Sequence, residues 1–215
     1  MPLQEIEYEA DSPKPPEPFA ALIAEADRRW ADFWADGGNR RYPRYVASEP
    51  TQVYAALKFV RDQELALGDS LLEWGSGFGV ATCLAGLLGY EATGIELQPG
   101  LLEVAEALAL SHRIDVRFVH GSYIPEGITE YETLGGSDIL TPERTAPESS
   151  FTYPEMDIPL DEVDVFFVYP WPGEQEMMLR LFEAVSGDGA ILIAYYGDRE
   201  IALYRNHVAD PGAAY

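Results

Sequence analysis

The sequence predicts an α/β fold: a mostly parallel sheet covered by helices on both faces. Three observations predict it. From Ser70 onward, short runs that are almost wholly apolar recur along the chain. Between them lie segments with apolar residues at three- and four-residue spacing. A glycine-rich turn joins the first such run to the segment after it. Strands buried on both faces read as continuous apolar runs, and parallel neighbours need a helical crossover between them.

Residues 1–18 are expected to form a flexible arm, because Pro13, Pro15, Pro16 and Pro18 block helix and little there can be buried. Residues 19–66 read as an N-terminal helical segment that belongs to the same domain as residues 67–215. Phe19, Leu22, Ile23, Ala26, Trp30, Phe33 and Trp34 fall on one face of a helix ended by Gly37 and Gly38. This aromatic stripe is read as packing, with a substrate-facing lid as the alternative. Residues 39–49 gather Arg40, Arg41, Arg44, Tyr42 and Tyr45. Ser48 ahead of Pro50 signals the start of a second helix, whose buried face is Val53, Ala56, Leu57 and Val60.

The chain then alternates. Strands are expected at Ser70–Trp74, Ala92–Glu96, Asp115–His120, Val163–Tyr169 and Ala190–Tyr196. Helices are expected at Val80–Leu88, Leu101–Leu110 and Gln175–Ser186. Right-handed crossovers wind such a series into a Rossmann-like three-layer sandwich. Residues 123–162 interrupt the alternation; they are acidic, rich in Gly, Pro and Ser and lack helical period, which marks either a functional lid or disorder.

Composition narrows the function. The 215 residues suit one domain, and 47 % hydrophobic residues suffice for a core. Lys and Arg number 14 against 37 Asp and Glu, a formal charge of -23. Such a field disfavours a nucleic acid or an anionic membrane surface and favours a cationic or neutral partner, besides keeping the protein soluble. The single cysteine, Cys83, excludes an intrachain disulfide and a cysteine-based zinc site. His112, His120 and His207 lack metal-ligand spacing, so no metal is expected. No apolar run approaches the roughly 20 residues that span a bilayer. The acidic, Pro-rich start is unlike a signal peptide, and a cytoplasmic protein is expected.

The sharpest chemical signal is Glu73-Trp74-Gly75-Ser76-Gly77-Phe78-Gly79, at the join of first parallel strand and following helix. Glycines there turn the chain tightly and let a ligand press on bare backbone. Glu96 closes the next strand, where a carboxylate can accept both hydroxyls of a ribose. A dinucleotide site wants G-x-G-x-x-G, whereas here the spacing is G-x-G-x-G with Val80 at the last glycine's place. Glu73, two residues ahead of the first glycine, would repel a pyrophosphate and suits a ligand that bears an ammonium group. The alternatives are an ordinary strand-to-helix turn and a nicotinamide or flavin site.

A ribose and an ammonium without phosphate describe S-adenosyl-L-methionine, and over residues 68–197 the sequence resembles the class I methyltransferases that use it. The resemblance implies a Rossmann-like fold and methyl transfer to a nucleophile by direct displacement. It implies that Gly75, Gly77 and Gly79, with Ser76 among them, line the methionine end of the cofactor, with Glu73 beneath its amino group. Glu96 would bind the ribose hydroxyls, Leu97 would pack on adenine, and Ser122 would take the place of the acid that often holds the adenine amino group. Tyr169-Pro170-Trp171-Pro172 is similar to the family's acceptor-facing motif, without its leading Asp or Asn. Its alternative reading is a rigid turn with aromatic packing. Tyr169, Trp171 and Tyr45 are the candidate catalytic residues, and Tyr42 is a further candidate proton acceptor.

Tyr45-Val46-Ala47-Ser48 and Met177-Met178 are also similar to a group of small protein-lysine methyltransferases. The favoured acceptor is therefore a small-molecule amine or a lysine of a basic protein, with the oligomeric state open. The competing expectation is a catalytically silent module that binds the cofactor as a regulator or partner subunit. In the usual family sheet two further strands form an antiparallel edge. Only 18 residues follow Gly197, so a shortened C-terminal edge is expected, covered by a partner or by the N-terminal arm.

Overall fold

The computed structural model describes residues 3–9, 14–125, 128–132, 138–142, 153, 156 and 159–207. Helix α1, Phe19–Ala35, turns Phe19, Leu22 and Ala26 into the core. Gly37 adopts a left-handed φ of 71°, which stops the helix. A short helix, α2, follows at Gly38–Arg41, and α3 spans Pro50–Asp62. The cap of α3 is Glu49 rather than the expected Ser48. Its carboxylate accepts from Thr51 N–H at 3.1 Å and Gln52 N–H at 2.9 Å, so a longer acid does the work usually left to a serine.

The expected alternation follows, with ends shifted by a residue or two. Strand β1 is Gln4–Ile6, β2 is Ser70–Trp74, β3 is Glu91–Glu96 and β4 is Arg117–His120. Helices α4, Val80–Leu87, and α5, Pro99–His112, make the crossovers between β2, β3 and β4. After β5, Ile128–Glu132, and β6, Asp138–Pro142, come β7, Val165–Val168, helix α6, Gln175–Val185, and β8, Ile191–Gly197. The last strand, β9, is Glu200–Arg205. Pairs β4–β3, β3–β2, β2–β7 and β7–β8 are all parallel.

The seven-stranded order is β1-β9-β8-β7-β2-β3-β4. The chain winds outward one way from β2 and the other way from β7. Their carboxyl ends therefore flank the point where strand order reverses, which is where open α/β sheets bind ligands. At the shortened edge β9 folds back antiparallel on β8 through Asp198 and Arg199, both with positive φ, a two-residue hairpin turn. Part of the expected flexible arm is pinned: Gln4–Ile6 pairs antiparallel with β9, Ile6 opposite Leu203. The backbone groups exposed along β9 give that segment a template.

Alternating residues of β7 divide the core. Val165 and Phe167 join Leu57 of α3, Leu84 of α4 and Leu108 of α5 on one face. Phe166 and Val168 join Leu72, Trp74, Leu181 and Phe182 on the other, beneath α6. Within the interrupting segment, β5 and β6 form a hairpin, and Ile128, Tyr153 and Leu160 are buried in the second core. Much of residues 123–162 lies outside the described residues, as does Pro13 of the arm. Among the described residues no helix is long and apolar enough to cross a membrane.

Candidate ligand-binding cleft

The turn after β2 is tied to the neighbouring strand. Gly75 N–H and Ser76 N–H both donate to Ile95 O, at 3.0 and 2.9 Å. Gly75, Gly77 and Gly79 all have positive φ, 71°, 54° and 69°. Their surroundings differ. A Cβ on Gly75 would meet nothing within 4 Å, so its backbone is bare. A Cβ on Gly77 would lie 2.3 Å from the Tyr45 ring, and one on Gly79 2.5 Å from Phe118. Gly75 therefore faces open space and the buried Ser76 lines the smaller cavity, whereas Gly77 and Gly79 are packed beneath aromatic rings and line neither adjoining cavity.

Glu96 braces this turn. One carboxylate oxygen accepts Gly77 N–H at 2.8 Å and the other accepts Gln98 N–H at 2.8 Å. Each oxygen keeps a lone pair, so two acceptor positions remain for hydroxyl donors. Glu73 is buried, with Thr82 N–H donating to it at 2.8 Å beside the Thr82 hydroxyl. Burial pushes its carboxyl up to about 8, against the two Thr82 hydrogen bonds and with the charge of Glu96 adding.

Two cavities meet at Tyr45, Val46, Gly75 and Tyr169. The larger, about 480 Å³, is lined by Glu96, Leu97, Ser122, Tyr169 and Trp171. Leu97 is 57 % exposed, an unusual state for a leucine and one that offers an apolar plate. Ser122 Oγ accepts Ile124 N–H at 3.1 Å and keeps its own proton to donate. The smaller cavity, about 350 Å³, runs from Glu73 and Ser76 to Glu49, Trp30 and Tyr195. Ser76 is 5 % exposed and its Oγ has no partner among the described residues. A buried hydroxyl without a partner costs free energy unless a ligand or water meets it.

The aromatic candidates separate by environment. Tyr45 packs on Phe78, centroids 4.7 Å apart, and its hydroxyl is pushed far above the usual phenol range by burial and by Glu73 and Glu96. Its side chain lines both cavities. Tyr42 stacks on Phe33 where the larger cavity meets the helical segment. Tyr169 meets Tyr195 edge to face at 4.7 Å, and burial raises both hydroxyls. Trp171 lies under the Arg44 guanidinium, 5.5 Å from ring centroid to carbon.

Sequence reasoning missed Tyr195, Glu49 and Glu174. Tyr195 closes the fifth parallel strand beside Tyr169, and its hydroxyl accepts Glu49 N–H at 3.3 Å. The Tyr195-Tyr196 pair at that strand end was the available signal. Trp30 of the α1 stripe packs on Phe33 and also lines the smaller cavity.

No family model and no curated protein matches the sequence. Solved structures match the fold. An RNA methyltransferase from Salinibacter ruber with S-adenosyl-L-homocysteine shares 16 % identity over 77 % of this chain and 97 % of its own, TM-score 0.50. A methyltransferase from Podospora anserina, also with S-adenosyl-L-homocysteine, shares 14 % over 86 % and 64 %, TM-score 0.51. One from Geobacter sulfurreducens shares 12 % over 89 % and 92 %, TM-score 0.50. With its sheet order, its bare turn after β2 and its acid after β3, the chain has the fold of the class I S-adenosylmethionine-dependent methyltransferases.

Proposed function

We propose that the protein binds S-adenosyl-L-methionine across the two cavities and transfers its methyl group to an amine, either a small molecule or a lysine of a basic protein. One observation carries the reading: the open backbone at Gly75 stands beside the two unused acceptor positions of Glu96, at the reversal of strand order. The residues fit the group. Glu96 would accept the ribose hydroxyls, Leu97 would cover adenine, and Ser122 would reach its polar edge. Gly75 and the unpartnered Ser76 hydroxyl would meet the amino-acid tail, and Glu73 would face its ammonium. When bound, the cofactor supplies a methyl group on a sulfonium, an excellent leaving group.

The protein's part is then mostly placement. Tyr169 and Trp171 would hold the acceptor nitrogen in line with the methyl carbon, and alignment of this kind can lower a barrier by roughly 7–11 kcal/mol. Tyr45 would close the side of the cleft away from water. An ammonium acceptor must lose a proton first, and burial in the cleft favours that loss. The raised hydroxyls of Tyr45, Tyr169 and Tyr195 supply no ready base. That observation also favours the second reading, a module that binds the cofactor without turnover.

Two measurements decide. Glu96→Ala is expected to weaken S-adenosyl-L-homocysteine binding at least tenfold by calorimetry, the loss of two hydroxyl acceptors and of the brace on Gly77. Unchanged affinity would remove the ribose assignment. Incubation with methyl-labelled cofactor and candidate amines then separates the readings, since label in an acceptor excludes the silent module.

A further inference from the structure

We infer that the ring of Trp171 and the carboxylate of Glu174 form a cation-docking subsite at the rim of the larger cavity, filled here by Arg44 in place of a guanidinium or ammonium group of the acceptor. The inference rests on reading the cleft as a methyl-transfer site and adds a second requirement for its acceptor: a cationic group besides the nitrogen that reacts.

The two halves of the contact are built differently. Trp171 and Glu174 belong to one turn closed by a hydrogen bond from Glu174 N–H to Trp171 O at 2.9 Å. Gly173 takes a φ of 94° within it, and its N–H donates to Gln175 Oε1 at 2.8 Å. The turn thus fixes the backbone positions from which ring and carboxylate project, and the Glu174 side chain is 18 % exposed. Arg44 comes from the other wall of the cleft, 130 residues away, on a side chain that is 65 % exposed. It donates to the Glu174 carboxylate and lies over the Trp171 face. An aromatic face with a carboxylate beside it is a general recognition device for guanidinium and quaternary or protonated nitrogen.

Exchange is energetically accessible. An ion pair and a cation–π contact made by an exposed arginine are each weak, and an incoming cation restores both as Arg44 swings to solvent. Arg41 lines the same cavity without occupying this contact, so the feature is specific to Arg44 rather than to positive charge along the rim.

The test is a calorimetric titration of the full chain with agmatine, which carries a guanidinium and an ammonium. Arg44→Gln removes the internal competitor and is expected to tighten agmatine binding about five- to tenfold. Arg41→Gln removes the same charge from the same cavity and is expected to change it less than about twofold. Glu174→Gln is expected to weaken it. Equal tightening by Arg41→Gln and Arg44→Gln, or none by Arg44→Gln, would overturn the subsite. A parallel titration with a short Lys-Arg peptide tells a peptide source of the cation from a small polyamine. The same samples are melted with S-adenosyl-L-homocysteine. A ligand-induced shift without the Arg44 effect sinks the subsite alone, and the Arg44 effect without that shift sinks the methyl-transfer reading.

Discussion

Glu73 shows how one side chain's surroundings set an observable of the whole protein. Its folded-state carboxyl, near 8, lies above the unfolded value of 4.5 because burial disfavours the charge. The folded state therefore holds more protons than the unfolded state between those limits. The stability this group confers is complete below about 4.5 and is lost as pH rises through about 8. Glu73→Gln is expected to flatten that slope and to melt higher than the wild type at pH 8, the gain being on the order of a few kcal/mol. A parallel pH dependence of the two proteins would show that Glu73 ionises normally. An ammonium seated beside Glu73 would also draw off its proton. Titrations of S-adenosyl-L-homocysteine at pH 7 in buffers of different ionisation heat should then report proton release, absent in Glu73→Gln.

At the scale of elements, the turn between β2 and α4 and the edge strand β1 make separate predictions. Gly77 combines a φ of 54° with a Tyr45 ring carbon 2.3 Å from the place of a Cβ. Gly77→Ala is expected to cost about 1–3 kcal/mol and to impair S-adenosyl-L-homocysteine binding, as Tyr45 and the Glu96 brace both shift. An unaltered melting temperature and affinity would refute the close approach. Strand β1 covers the outer edge of β9. A variant lacking residues 1–9 leaves that edge unpaired and should self-associate, visible in sedimentation as a rising average mass with concentration. A monomeric variant of native melting temperature would mean that the edge needs no cover.

The elements were legible because their signals are local. Apolar runs such as Val165-Phe166-Phe167-Val168 declare a doubly buried strand, and the glycines of the Glu73–Gly79 segment declare a tight strand-to-helix turn. The start of α3 at Pro50 is legible in sequence, but its cap is Glu49 rather than Ser48, since capping depends on which side chain reaches Thr51 and Gln52, and residue type alone does not say that. Gly75, Gly77 and Gly79 look equivalent in sequence, and only tertiary neighbours distinguish a glycine beside open space from one beneath an aromatic ring.

For the whole molecule, net charge works against the cohesion of the two cores. A formal charge of -23 on 215 residues makes the compact state repel itself. Added salt screens that repulsion, so the melting temperature should climb from low to physiological ionic strength. A flat or falling curve would mean that ion pairs such as Arg61–Asp69 outweigh the net charge. The same field draws cations toward a cleft lined by the acids Asp27, Glu49, Glu73, Glu96 and Glu174, which suits the amine acceptor proposed above.

By itself the sequence determined the strands and helices of the alternating region, the parallel sheet, and the place of the glycines and acids at the ends of β2 and β3. Periodicity and turn residues act over a few neighbours, and a crossover between apolar strands leaves few other topologies. Tertiary structure alone decided that Gln4–Ile6 completes the sheet, that Glu49 meets Tyr195, and that Arg44 lies on Trp171 and Glu174. Each of these joins residues far apart along the chain, and a one-dimensional pattern tells which face a side chain takes but never what stands opposite it.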